Sequence, residues 1–381
     1  MELSLHFVSN LILAVVCIAM GTIFISLPTP PKPGLVTYRV SLKVLASAYF
    51  VLAILILIII VFKLPDNARE HLTFTGISIS SFQAFLFTFA LIALLNPKYV
   101  TFRHLLKQLL PILVLILLFV ISNMVYTNPV ITHLNEISVF IKNPTLWLRL
   151  AFYFFYIFQL VYYTWLYFRV ERNYKTQALN YFSDDTWLKL SWVRVAFISA
   201  LGVGIIAMIS YLFHQKYDWI FTLIYTVFYF GFALEYIKYN KIYVQIEPVV
   251  VEEKVEFIAP DQNKTRTKPG WINLRKQVIE NQYYLELGIN IEEMARRLKI
   301  GRTNLSIYIN REEGMNFNGW VNTLRIEKAK ELLIQYPDEP LGVIAEKVGY
   351  SEHANFSRQF KLVTGESPLL WKKQQLTSTL V

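Results

Sequence analysis

From the N-terminus to about residue 240, apolar residues run in long blocks, and polar residues gather in the gaps between them. Seven blocks reach the roughly 20 residues a helix needs to cross a ~30 Å hydrocarbon layer: 7–26, 44–62, 73–95, 109–126, 146–168, 191–213 and 219–237. The gaps carry helix breakers or charge, as in Pro28 to Gly34, Lys63-Leu64-Pro65-Asp66, Asn96-Pro97-Lys98, Asn128-Pro129 and Asp184-Asp185. Any one block fits the core of a soluble protein, but seven in series predict a bundle of transmembrane helices. The first block lacks a basic leading segment and a small-residue cleavage site before Pro28, so it reads as a retained span.

After about residue 240 the blocks stop. The stretch 245–270 begins acidic and β-branched (Glu247, Val249 to Val251, Glu252, Glu253, Glu256) and turns basic (Lys264, Arg266, Lys268). It reads as a linker; a flexible coil of this length spans roughly 28 Å on average. From Trp271 onward apolar positions recur at helical spacing, and one pattern occurs twice. In the first copy Met294, Ala295 and Leu298 precede a turn at Lys299-Ile300-Gly301. Leu305, Ile309 and Gly314 follow. In the second, Ile344, Ala345 and Val348 precede Gly349-Tyr350-Ser351, and Phe356, Phe360 and Gly365 follow. Both therefore read apolar, apolar four on, glycine five further.

Each position has a physical reason. Ala295 and Ala345 are small where two helices joined by a short turn must approach closely. Gly349 suits a left-handed backbone in the turn, and Gly314 and Gly365 suit helix C-terminal caps. Asn290 with Glu293 fits a capping box, and Ser351 is placed to cap the last helix of the second copy. Two short helices, a tight turn and a polar outer face make a helix-turn-helix, whose second helix fits the major groove of DNA.

One such pattern is a weak signal; two joined by a helix over Trp320 to Leu333 are stronger. The run Ile344-Ala345-Glu346-Lys347-Val348-Gly349-Tyr350, continuing through Asn355-Phe356-Ser357-Arg358-Gln359-Phe360-Lys361 to Gly365, Pro368 and Trp371, resembles the signature of AraC/XylS-type transcriptional regulators. The first copy resembles it in Glu293-Met294-Ala295, Leu305, Gly314 and the run Leu324 to Leu333. The resemblance covers roughly the last third of the chain. It implies two recognition helices entering successive major grooves, with Arg302, Thr303, Ser306 and Ile307 facing DNA from the first and His353, Ala354, Ser357 and Arg358 from the second. Arg358 is the strongest candidate for a bidentate guanine contact, with a phosphate contact as the competing role. Two departures stand out: Lys299 where the other copy has Gly349, and Ile307 where a polar residue is usual. Both point to the second copy, or to thymine-methyl contacts, for specificity.

Composition sharpens the picture. The chain of 381 residues is 17% charged against about a quarter in soluble proteins, which argues against a solvated enzyme. Cys17 is the single cysteine, so no disulfide framework forms within a chain. The net charge is +10, but residues 260–381 carry 18 Lys and Arg against 14 Asp and Glu, so the motif and not the charge carries the DNA reading. Lys and Arg number 10 in the first, third and fifth loops against 4 on the opposite side. The richer side is cytoplasmic, which places the N-terminus outside and the C-terminal domain inside a cell (inner) membrane.

The expected fold class is therefore all-α: a seven-helix transmembrane bundle (1–244), the linker (245–270), and a cytosolic all-helical domain (271–381) with two helix-turn-helix units. Gln83, Asn123, Arg149, Gln159, Arg194 and Glu235 lie in or near the spans and face the bundle or a cavity by default, Arg149 and Arg194 otherwise snorkelling to the interface. The aromatics of spans five and seven serve helix packing and interfacial belts, or else a pocket for an apolar signal anchored by Gln159 and Glu235. No nucleophile–base arrangement, phosphate-cradling glycine loop or metal-ligand cluster is recognisable, so neither catalysis nor a cofactor is expected. The expected partners are double-stranded DNA, the lipid bilayer and a small-molecule or membrane signal; a homodimer and contact with RNA polymerase stay open. The rival reading is a transporter or integral-membrane enzyme with a regulatory helical appendage.

Overall fold

The computed structural model describes residues 5–28, 36–61, 74–96, 99–131, 134–183, 191–210, 218–238 and 268–378. The expected gap residues Gly34, 63–66, Pro97, Lys98 and 184–185, and the expected linker up to residue 267, lie outside them. Among the described residues every regular element is helical, beside one isolated antiparallel bridge between Phe182 and Asn290. The chain forms two compact units, one of Met1–Arg172 with Ser191–Val251, the other of Asn173–Leu190 with Glu252–Val381.

The first unit holds seven helices long and apolar enough to cross a membrane. They are α1 (Leu5–Ser26), α2 (Val36–Val61), α3 (Phe74–Leu95), α4 (Phe102–Val125), α5 (Pro144–Tyr181), α6 (Ser191–Ser210) and α7 (Asp218–Lys238). Helix α3 is the most enclosed and α4 the least. On α4 the side chains of Leu106, Leu110, Leu113, Leu117, Ile121 and Val125 are all exposed and make a continuous apolar surface.

Aromatic residues pack across helices within this unit. Tyr49 sits among Phe24, Phe87 and Tyr229 with ring centroids 5.4–5.7 Å apart, and its hydroxyl donates to the Tyr229 carbonyl at 2.6 Å. On α5 the aromatic residues divide by face: Phe152, Tyr156, Tyr163 and Tyr167 are buried, while Phe154, Phe158 and Trp165 are exposed. The inward tyrosines bring a hydroxyl that a carbonyl can accept, as Tyr156 does with Gly204 at 3.1 Å.

Helix α5 exceeds the expected span. At 38 residues it is about 57 Å long, nearly twice the ~30 Å of a hydrocarbon layer. Its last nine residues, Asn173–Tyr181, belong to the second unit.

That unit contains α8 (Lys268–Glu280), a 3-10 turn (Tyr283–Leu285), α9 (Ile291–Arg297), α10 (Arg302–Tyr308) running into a π turn (Ile309–Glu313), α11 (Phe317–Gln335), α12 (Leu341–Lys347), α13 (His353–Thr364) and α14 (Pro368–Ser378). Helix α11 serves two cores. Its N-terminal half brings Phe317, Trp320 and Val321 into the fully buried set that includes Met294, Ala295, Leu305 and Ile309. Its C-terminal half brings Ile326, Ala329 and Leu333 against Ile344, Ala345, Val348, Phe356 and Phe360.

Within the bundle, buried Gln159 accepts a hydrogen bond from Ser81 Oγ at 2.6 Å and donates to the Ser81 carbonyl at 3.1 Å. An inter-helix polar pair of this kind contributes about 0.6–1.7 kcal/mol. A double-mutant cycle with Ser81→Ala and Gln159→Leu, read by thermal unfolding of the detergent-solubilised chain, is expected to give a coupling in that range.

Candidate nucleic-acid interface

The two helix-turn-helix units are built alike down to their backbone bonds. Between α9 and α10, the N–H of Leu298 donates to Met294 O, that of Lys299 to Arg296 O, and that of Ile300 to Ala295 O, at 3.0–3.1 Å. Between α12 and α13, Val348, Gly349 and Tyr350 donate to Ile344, Glu346 and Ala345 in the same order, at 3.0–3.1 Å. In each case a left-handed residue reverses the chain and satisfies the carbonyls that the first helix leaves open. The left-handed residue is Gly349 at φ 87° in one copy and Lys299 at φ 56° in the other. The lysine is tolerated at a cost of about 1–2 kcal/mol. Gly349 has a second reason to be glycine, because a Cβ there would stand 2.4 Å from the carbonyl oxygen of Leu285.

The helix ends largely follow the sequence. Asn290 Oδ1 accepts from the Glu293 N–H at 2.9 Å and caps α9. The Glu293 carboxylate engages Arg297 and Arg296, which hold it below the usual carboxylate range. Gly314 and Gly365, at φ 69° and 86°, terminate the second helix of each unit. Ser351 does not cap α13: the capping position is Glu352, which makes no side-chain capping bond. His353 opens α13 four residues after Gly349, whereas Arg302 opens α10 three after Lys299, and this extra residue leaves Ser351 one place short of the capping position.

The outward residues differ between the copies. On α13, His353, Ala354 and Arg358 are exposed and Ser357 is half-buried. His353 Nε2 lies 3.4 Å from Ser357 Oγ, and Arg358 Nη2 donates to Asn355 Oδ1 at 3.1 Å. Lys361 extends this open stripe, four residues beyond Ser357. On α10, Thr303 is exposed and Ile307 half-buried. Ser306 is not outward: it is 4% exposed, and its Oγ accepts from Asn310 Nδ2 at 3.3 Å. Ser306 follows Leu305 and stands three residues before Ile309, both fully buried, so it lies on the flank of the inward face. Arg302 is half-buried, its guanidinium 5.7 Å from the centre of the Tyr181 ring, and burial pulls its pKa below the ordinary guanidinium value.

A buried arginine locks the two units through α11. Arg325, fully enclosed, donates from Nε to the Tyr284 carbonyl at 2.7 Å and from Nη2 to the Glu286 carbonyl at 2.8 Å, and lies 5.2 Å from the Tyr350 ring centre. Tyr350 OH donates to Asn322 Oδ1 at 2.7 Å, joining the turn of the second unit to the same helix.

The polar residues of the spans divide. Gln83 and Gln159 are buried and bonded to neighbouring helices, as expected. Arg149 does not snorkel: it is 1% exposed and donates to Asn128 Oδ1. Glu235 faces outward and pairs with Lys238 at 2.6 Å, and Asn123 and Arg194 are exposed. Glu235 and Gln159 therefore do not line one pocket. Phe232, Ala233 and Tyr236 occupy the buried face of α7, which leaves Glu235 on the outer one. No group of three or more His, Cys, Asp or Glu side chains able to hold a metal occurs among the described residues.

Comparison with known proteins agrees with this geometry. Residues 294–374 match a family described as a helix-turn-helix domain. An uncharacterised HTH-type transcriptional regulator, YtdP, of Bacillus subtilis is 31% identical over 125 residues, covering 32% of this chain and 16% of that protein. The Msm operon regulatory protein of Streptococcus mutans is 22% identical over 140 residues, covering 37% of this chain and 48% of that protein. The C-terminal domain of AraT, a response regulator from Geobacillus stearothermophilus, is 30% identical, covering 29% of this chain and 88% of that one at a TM-score of 0.26. The chain thus spans less than half the length of these two curated relatives. Its residues 294–374 form a helix-turn-helix domain, similar to those of HTH-type transcriptional regulators.

The two turns make opposite demands on substitution. Gly349→Ala forces a Cβ onto the Leu285 carbonyl and is expected to destabilise the C-terminal unit by about 2 kcal/mol or more. Lys299→Gly relieves a left-handed lysine and is expected to stabilise it by about 1 kcal/mol. Thermal unfolding of the full chain, followed by tryptophan fluorescence, measures both.

Proposed function

We propose that the chain is a membrane-anchored, sequence-specific DNA-binding transcriptional regulator of AraC type, not a catalyst. The observation that carries this reading is the duplicate: two turns with identical backbone bonds, set on either side of one shared helix. In the proposed arrangement residues 1–244 are the membrane domain and act as a sensor, 245–270 the linker and 271–381 the DNA-binding domain. The apolar outer surface of α4 and the lysine–arginine bias of the loops support a bilayer location with a cytoplasmic C-terminus.

Helix α13 enters one major groove and presents His353, Ala354, Ser357 and Arg358, with Lys361 toward the backbone. Helix α10 enters the next through Arg302, Thr303 and Ile307, while Ser306 supports the helix from within. Arg358 lies on the exposed face with a planar guanidinium suited to guanine N7 and O6. The less open face of α10 leaves the greater share of base reading to α13.

The test uses the full-length chain in nanodiscs and a random duplex library of about 40 bp, long enough for two successive grooves with flanks. Enrichment of a defined sequence is expected, with affinity falling about a thousand-fold between ~50 and ~200 mM salt when six or more phosphates are engaged. Arg358→Ala is expected to cost about 1–3 kcal/mol on the enriched sequence, measured by fluorescence anisotropy. Failure to enrich any sequence contradicts the reading.

A further inference from the structure

The second unit includes a piece of chain from outside the C-terminal domain: residues 173–183, the end of α5 and the two residues after it. This piece sits on the first helix-turn-helix through contacts of several kinds. Tyr181 OH donates to Glu292 Oε2 at 2.8 Å, and Ser183 Oγ donates to the Ile289 carbonyl. Phe182 pairs with Asn290 as an antiparallel bridge. From below, Asn318 Nδ2 on α11 donates to the Phe182 carbonyl and Asn322 Nδ2 to the Ser183 carbonyl, each at 3.1 Å. Both carboxamides are more than nine-tenths buried, and Tyr181, Phe182 and Ser183 are buried with them.

Two features make this more than packing. The ring of Tyr181 lies under the guanidinium of Arg302, the first residue of the recognition helix α10. Asn322, which holds the Ser183 carbonyl, also accepts the hydroxyl of Tyr350 in the turn of the second unit. The segment thus touches a DNA-facing arginine of one unit directly and the turn of the other through one side chain. Half-buried against that ring, Arg302 has only part of its guanidinium open to a base or a phosphate.

We propose that the α5 extension is an intramolecular latch, for which Glu292, Asn318, Asn322 and Arg302 form the receiving surface. Seated, residues 181–183 withhold Arg302 from DNA; released, they free it. The inference rests on the DNA-binding reading above. It makes α5, which is one continuous helix from Pro144 to Tyr181, the element through which the membrane domain acts on that function. The signal then has to favour the released state over the seated one, since a ligand indifferent to the two shifts nothing.

The experiment uses the full-length chain in nanodiscs and the labelled duplex enriched as described above. Tyr181→Ala is expected to tighten binding by about ten-fold, and Tyr181→Phe, which keeps the ring but loses the Glu292 bond, by less. A merely structural role for Tyr181 predicts the opposite sign. The second arm replaces the native cysteine, C17S, and adds Phe182→Cys with Asn290→Cys, opposed residues whose bridge pairing places them within disulfide reach. Oxidation is expected to cross-link them and weaken binding by about ten-fold or more, with recovery on reduction of the same sample. A cross-link that forms without changing affinity, together with unchanged or weaker binding by Tyr181→Ala, overturns the latch and leaves the DNA-binding reading intact. Failure of every variant and of the parent chain to bind overturns both.

Discussion

The C-terminal unit depends on the burial of both faces of one helix. Helix α11 gives Phe317, Trp320 and Val321 to one core and Ile326, Ala329 and Leu333 to the other, so neither helix-turn-helix closes its apolar interior without it. Sharing a helix also removes the freedom that a flexible connection would allow, which fixes the separation and the relative rotation of the two recognition helices. Arg325 adds a directional lock. Its guanidinium bonds carbonyls at the end of the 3-10 turn and just beyond it, and faces the tyrosine of the second turn. A buried guanidinium requires such partners, because an uncompensated charge in an apolar interior costs several kcal/mol.

Much of this was legible in the sequence because the governing forces are local. Ala295 and Ala345 mark the close helix approach, Gly349 the left-handed turn, Gly314 and Gly365 the helix stops, and Asn290 the cap; each occupies the place its chemistry suggests. The seven apolar helices followed from block length alone. The misplacements came where a neighbour decided the outcome. Ser306 turned inward because it flanks buried Leu305 and Ile309, and Glu235 outward because Phe232, Ala233 and Tyr236 take the buried face of its helix. One more residue between the second turn and its helix than in the first unit moved the start of α13 past Ser351.

Residues 173–183 were the least legible part. Their partners lie over 100 residues away, and the bonds are made by backbone carbonyls to asparagine amides, which leave no periodic trace. Two buried asparagines four residues apart on α11 were the available hint, since buried carboxamides need acceptors. The length of α5 was a second: its helical pattern does not break where the apolar block ends at Phe168.

The dual character of the chain also constrains how it can work. On the proposed function a sensor confined to a bilayer cannot diffuse to an operator, so the DNA would have to come to the membrane or the DNA-binding unit would have to be freed, and either route gives value to a contact that couples helix position to DNA affinity. The most direct measurement is a hydroxyl-radical footprint of the full-length protein in nanodiscs on its enriched duplex. Two protected windows about 10 bp apart on one face of the helix are the expected result. A single window, or uniform protection along the fragment, would contradict the paired use of α10 and α13.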